Sequence, residues 1–181
     1  MIFSPARIAG AWAIDIEPHR DERGFFARTW CQRELAERGL DTAIAQESVS
    51  HSRRAGTLRG LHFQRAPHEE VKIVRCIRGA IFDVIVDLRA DSPSFRQWQA
   101  FELTAENRRA LYIPKGCAHG FQTLLDDTEV FYQISEFFAP DAGDGCRYDD
   151  PAFSVAWPLP VTLISERDLA WSRFDQRARR L

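Results

Sequence analysis

The sequence predicts an all-β protein, a sandwich or barrel of short strands. From Ala43 onward, brief apolar runs recur with turn residues between them. Two of the runs keep a period of two. Phe82, Val84, Val86 and Leu88 make one wholly apolar face, with Ile81, Asp83, Ile85 and Asp87 on the other. Val130, Tyr132 and Ile134 alternate with Phe131, Gln133 and Ser135. Many short strands at turn-punctuated spacing argue against βαβ units and for a closed or stacked antiparallel architecture.

The elements follow in order. The N-terminal part to Ile16 predicts short strands divided by Gly10. Glu34 to Arg38, followed by Gly39, predicts a single helix with a glycine stop. Gly56-Thr-Leu-Arg-Gly-Leu-His-Phe-Gln64 predicts a strand punctuated by glycines. Val71 to Arg89 holds two strand-like runs joined at Arg78-Gly79. In Tyr112 to Phe121, Pro114-x-Gly116-x-x-His119 predicts a tight turn that feeds His119 into a strand. The last segment, Ser165 to Arg180, is charged and predicts helix or irregular chain.

A chain of 181 residues can bury the core of one domain and is short for two, so residues 1–181 are expected to form a single domain. With 45% hydrophobic and 28% charged residues it has the make-up of a soluble globular protein. The net charge of −2, with acids and bases mixed along the chain, carries no footprint of nucleic acid or a membrane surface. Cys31, Cys76, Cys117 and Cys146 lie far apart without a C-x-x-C pair. That argues against a zinc knuckle or redox motif and fits reduced thiols in the cytoplasm. Met1 to Ile16 has no basic start followed by a long apolar run, so a soluble, cytoplasmic protein is expected.

Chemistry concentrates around Arg59 and His62. In an extended segment their spacing puts the two side chains on opposite faces unless the backbone bends or bulges, and Gly60 permits a bend. A permanently charged guanidinium beside an imidazole suits an anion clamp next to a general base. A surface Arg and a half-buried His on a strand fit the same letters. Lys72 alternates with Val74 and Cys76, and is either a strand-edge lysine that blocks aggregation or a cation for a developing oxyanion. Tyr132, in an apolar run, reads as a core tyrosine whose hydroxyl finds a partner. Asp168 follows Ser165-Glu-Arg and reads as a helix-end carboxylate.

Taken in order, the three segments at 56–64, 71–89 and 112–121 resemble the dTDP-4-dehydrorhamnose 3,5-epimerase family of nucleotide-sugar epimerases. Asp21-x-Arg23-Gly24-Phe25-Phe26, Ser92-Pro-Ser-Phe95, Asp149-Asp-Pro151, Trp157-Pro158 and Ser165-x-x-Asp168 add to the match, which runs from about Asp21 to Asp168. The resemblance implies a cupin-type jelly-roll β-barrel with a few short peripheral helices. It implies His62 as the base, Asp168 as its orienting carboxylate, Tyr132 as the acid and Lys72 as the enolate cation. It implies substrate contacts at Arg23, Arg28, Gln46, Ser48, Arg59, Lys72, His119 and Arg167. The expected substrate is a nucleotide-diphosphate 4-keto sugar, handled without any cofactor, in a homodimer that exchanges an N-terminal segment.

Cupin barrels often hold a metal through His-x-His, a Glu and a third His. Here the first pair reads His62-x-Gln64 and the next strand offers Lys72, which repels a cation, so no metal is expected. The chain also departs from the rhamnose-pathway pattern. Arg28 stands where those enzymes carry Glu, Gln46-Glu-Ser48 replaces Gln-x-Asn, and the usual Glu near Gly143 is missing. Because Arg28 can only donate, these departures favour a CDP- or GDP-linked sugar over a dTDP-linked one.

Overall fold

The computed structural model describes residues 1–174. Thirteen strands and two short helices lie among them, in the order β1 (Ile2–Pro5), β2 (Trp12–Asp15), β3 (His19–Asp21), β4 (Gly24–Phe26), α1 (Gln32–Ala36), β5 (Gln46–Ser52), β6 (Leu58–Gln64), β7 (Lys72–Arg78), β8 (Ala80–Asp87), β9 (Trp98–Thr104), β10 (Ala110–Ile113), β11 (Cys117–Thr123), β12 (Thr128–Ile134), β13 (Gly143–Gly145) and α2 (Glu166–Leu169). Two antiparallel sheets face each other. One runs β1-β2-β10-β7-β12-β5 and the other β13-β6-β11-β8-β9, while β3 and β4 form a separate hairpin. This is the cupin-type jelly roll that the sequence resemblance implied. No helix among the described residues is long and apolar enough to cross a membrane.

Both predicted alternating runs became strands, and β8 shows how each face is used. Ile81 and Ile85 point into the inter-sheet core with Val74, Cys76, Leu111, Phe121 and Val130. Asp83 shares that inward row and is fully buried. The wholly apolar row, Phe82, Val84, Val86 and Leu88, packs outside the barrel under Phe153 and Trp157. The polar row thus faces the interior because the site lies there, and the C-terminal chain covers the apolar one.

Helix α1 spans five residues, beginning earlier and ending sooner than the expected Glu34–Arg38. Its Leu35 closes an outer cluster with Ile14, Ile73 and Tyr112 on the back of the six-stranded sheet. Within Ser165–Arg180, Glu166–Leu169 is helical and the chain to Phe174 is irregular. The remainder of that segment, 175–180, lies outside the described residues.

Candidate active site

Strands β6 and β11 carry the centre of the site. Their pairing sets His119 opposite His62 and Phe121 opposite Arg59, with a register shift between them. Two glycines make the shift possible. A Cβ on Gly60 would lie 2.6 Å from the Gly120 Cα, and one on Gly120 would lie 2.7 Å from the Arg59 carbonyl. Gly60 also sits at a φ of 117°, a region closed to residues with side chains. The irregularity brings Arg59 and His62 to one cavity, as the spacing required if both were to act together.

That cavity has a volume of about 650 Å³, within the usual range for small-molecule sites. His62, Lys72, Tyr132, Asp168, Arg59, His119, Gln46, Ser48 and Arg167 all line it. Arg23 and Arg28 are not among its lining residues. Arg23 pairs with Asp21 on the exposed β3–β4 hairpin, and Arg28 is bonded to Glu34 at 3.0 Å.

Asp168 is the best-anchored group in the cavity. Ser165 caps the single turn of α2 by accepting from the Asp168 amide at 3.1 Å, which fixes the start of that turn. The buried carboxylate then meets His62 Nε2 at 2.6 Å, the Gly60 amide at 3.3 Å and the Trp171 indole N–H at 3.2 Å. Burial alone would raise its pKa, but the His62 bond and charge and the other two donors outweigh burial and hold it low. An ionised carboxylate only accepts, so Nε2 carries the proton and Nδ1 keeps the free lone pair.

His119 has a carboxylate of its own, with Nε2 2.9 Å from Asp83 Oδ2. Asp83 Oδ1 is buried without a hydrogen-bond partner. Burial pushes the Asp83 carboxyl up, against the opposing pull of His119 and Lys72. Lys72 is on β7, which lies between β10 and β12, so the edge-strand role does not apply. Its Nζ sits 2.8 Å from Glu70 Oε1, with side chains 12% and 11% exposed. Tyr132 faces Ser50 across 3.4 Å, and burial raises its phenol well above the usual range, so it stays protonated at neutral pH. Arg59 is steadied by the Ser52 hydroxyl at 3.1 Å and the His51 carbonyl at 2.9 Å.

Gln64, where a metal ligand would stand in a metal-binding cupin, is occupied otherwise. Its amide donates to the His68 and Phe137 carbonyls and accepts from the Ala139 amide, latching the loop before β13. Gln46 likewise accepts from the Phe138 amide at 2.6 Å.

The family model described as dTDP-4-dehydrorhamnose 3,5-epimerase matches residues 5–176. The chain belongs to the dTDP-4-dehydrorhamnose 3,5-epimerase family. It is an isomerase of the nucleotide-sugar epimerase type. A dTDP-4-dehydrorhamnose 3,5-epimerase from Methanothermobacter thermautotrophicus is 42% identical over 93% of this chain and 92% of its own. A crystal structure of the Bacillus anthracis dTDP-4-dehydrorhamnose 3,5-epimerase, with TDP and PPi bound, superposes with a TM-score of 0.92 at 37% identity, covering 96% of this chain and 99% of that one. A 3'-monoepimerase from Streptomyces bikiniensis in complex with dTDP-quinovose gives a TM-score of 0.85 at 34% identity, covering 93% and 86%. The epimerase fold of this chain is therefore shared by enzymes named for two positions and for one.

Four groups in or behind this epimerase cavity escaped the sequence reading. Glu70 stands two residues before Lys72, and that spacing on an extended chain was a usable signal. Asp83 was visible as a charge inside an apolar run. Trp171 lies one helical turn after Asp168, and Ser50 gave no signal apart from the strand pairing that puts it near Tyr132.

Proposed function

We propose that this chain inverts C3 and C5 of a dTDP-linked 4-keto-6-deoxy sugar by proton transfer through an enolate. The C4 carbonyl acidifies the hydrogens on both neighbouring carbons. His62 removes one through Nδ1 while Asp168 holds the other ring nitrogen. Lys72, aided by Arg59, stabilises the negative charge that develops on O4. Tyr132 returns a proton from the opposite face, and the His62 proton goes back to solvent or to the sugar.

The observation that carries this reading is the convergence of an oriented imidazole, an ammonium and a neutral phenol on one cavity. A binding protein without chemistry has no use for that combination. The dTDP end is supported by the TDP and dTDP-quinovose named for the relatives, and by Arg28 spending its charge on Glu34. We read the working form as a homodimer in the cytoplasm. Exposed Phe25 and Phe26, the latter 76% accessible, support a partner over the β3–β4 hairpin, with Arg23 and Arg28 reaching its cavity.

Incubation with dTDP-4-keto-6-deoxyglucose in D₂O tests the chemistry: deuterium is expected at both C3 and C5, and its absence from both refutes epimerisation. Deuterium at C3 alone makes the enzyme a mono-epimerase. Calorimetric titration with dTDP, CDP and GDP tests the nucleotide. Tightest binding of dTDP is expected, and a preference for CDP or GDP restores Arg28 as a base reader. Sedimentation tests assembly, since a fully active monomer at micromolar concentration refutes the dimer.

A further inference from the structure

Trp171 belongs to no motif, yet three neighbours hold its indole in place. The ring N–H donates to Asp168 Oδ1 at 3.2 Å, the same oxygen that His62 Nε2 approaches at 2.6 Å. The Trp171 and His62 rings meet edge-on, with centroids 6.3 Å apart and planes at 69°. The Arg167 guanidinium lies 5.2 Å from the indole centroid. Gly145, the cross-strand partner of His62, lies close against the ring, and a Cβ there would come within 2.5 Å of Trp171 Cε2.

We propose that Trp171 is a positioning residue for the base: its indole N–H fixes the Asp168 carboxylate and takes up part of its charge, so that His62 is oriented without being overbound. The inference rests on the reading of His62 as the base. Its physical content is a competition for one oxygen. An indole only donates and never titrates in the working range, so it is a constant claim on Oδ1. Each N–H that a carboxylate accepts makes it a weaker partner for the next donor. With three donors from three separate segments, the carboxylate has one orientation, and its hold on a protonated imidazole is moderated. Remove the indole N–H, and the carboxylate grips the imidazolium harder, so that the base is free only at higher pH.

Other charges face His62 from every side: Arg59 on its own strand, His119 on β11, Asp144 on β13, Arg167 on α2 and Lys72 across the cavity on β7. None of them changes when Trp171 is altered, so a shift in titration isolates the indole.

The experiment compares Trp171→Phe, which keeps an aromatic wall without a donor, with Trp171→Gln, which keeps a donor without the wall. The pH profile of kcat/KM and the His62 ring titration by ¹⁵N NMR are both measured. In Trp171→Phe the acid limb and the His62 titration should move up by about half a unit or more. At neutral pH kcat should fall about tenfold with KM nearly unchanged. In Trp171→Gln the acid limb should stay near its wild-type place. An unmoved limb in Trp171→Phe, or lost activity with an unmoved His62 titration, overturns the proposal and leaves Trp171 a packing residue. Should Trp171→Phe fail to fold, Trp171→Gln decides, since a shifted limb there overturns the proposal. Failure of the underlying reading shows elsewhere, as undiminished exchange in His62→Asn.

Discussion

His62 and His119 stand directly opposite each other on β6 and β11, yet each is bonded to a different aspartate. The two pairs differ in access. The His62 side chain is 42% exposed and its Asp168 comes from the C-terminal chain, whereas His119 is 5% exposed against Asp83 of β8. Only the first is placed to exchange a proton with a mobile substrate. The second is a fixed part of the wall, sitting edge-on to Tyr132 with ring centroids 6.2 Å apart.

His62→Asn should therefore remove deuterium incorporation at both carbons, with turnover falling by roughly 10²–10⁴-fold. Binding of dTDP should change little, because the Arg59 anchors at Ser52 and His51 are untouched. Proton NMR of the sugar in D₂O reads the first outcome and calorimetry the second. Exchange at the wild-type rate excludes His62 as the base.

Tyr132→Phe deletes an oxygen whose contact with Ser50 is a long 3.4 Å. Stability should change by less than about 1 kcal/mol in urea unfolding. Epimerised product should fall sharply, while exchange at one carbon persists because His62 can abstract and redeliver on the same face. Product formation at the normal rate would remove Tyr132 from the mechanism.

Acid sensitivity follows from Asp168. Its folded pKa is held below the ordinary carboxylate value, chiefly because the His62 bond offsets burial. A depressed carboxyl contributes stability above its unfolded pKa, near pH 4, and loses it as pH falls through the folded value. Thermal melts from pH 6 down to pH 2.5 should show this loss in the wild type. Asp168→Asn should be less stable at neutral pH by about 1–3 kcal/mol and flatter in acid. An identical acid profile in the variant would contradict the assignment.

Asp83 predicts the opposite sign. Burial raises its pKa, so its ionised form costs stability above the unfolded value, a cost that vanishes as pH falls below about 4. Asp83→Asn should raise the Tm by a few degrees at pH 7 and bring a shrinking gain toward acid. A lower Tm at pH 7 would mean that the His119 partnership outweighs the burial of charge.

Much of this was legible in the letters. Alternation in 81–88 and 130–135 gave strands because a half-buried sheet needs a period of two, and the Arg78-Gly79 junction became the β7–β8 turn. The Arg59 to His62 spacing even implied the backbone irregularity that Gly60 and Gly120 now provide. What the letters could not give were contacts made at long separation. The ion pair of Arg28 with Glu34 depends on where α1 docks. The choice of Asp168 and not another carboxylate as the His62 partner depends on a segment 106 residues away folding back over β6. Which face of β8 turns inward was undecided because both faces are buried, one by the barrel and one by the C-terminal chain.

The cavity draws on strands of two kinds. Gln46, Ser48 and Ser50 come from β5, and Gly143 and Asp144 from β13, the outermost strands of their sheets at this end. His62, Lys72, His119 and Tyr132 come from β6, β7, β11 and β12, each paired on both sides. An outermost strand can accept new side chains, a bulge or an insertion without breaking a ladder on both flanks. The proton-handling groups enjoy no such latitude, for a one-residue slip there would turn every side chain away from the cavity. Selection on this scaffold can therefore rewrite what is held while leaving what is done to it alone, and a designer seeking a new donor sugar should mutate the rims first.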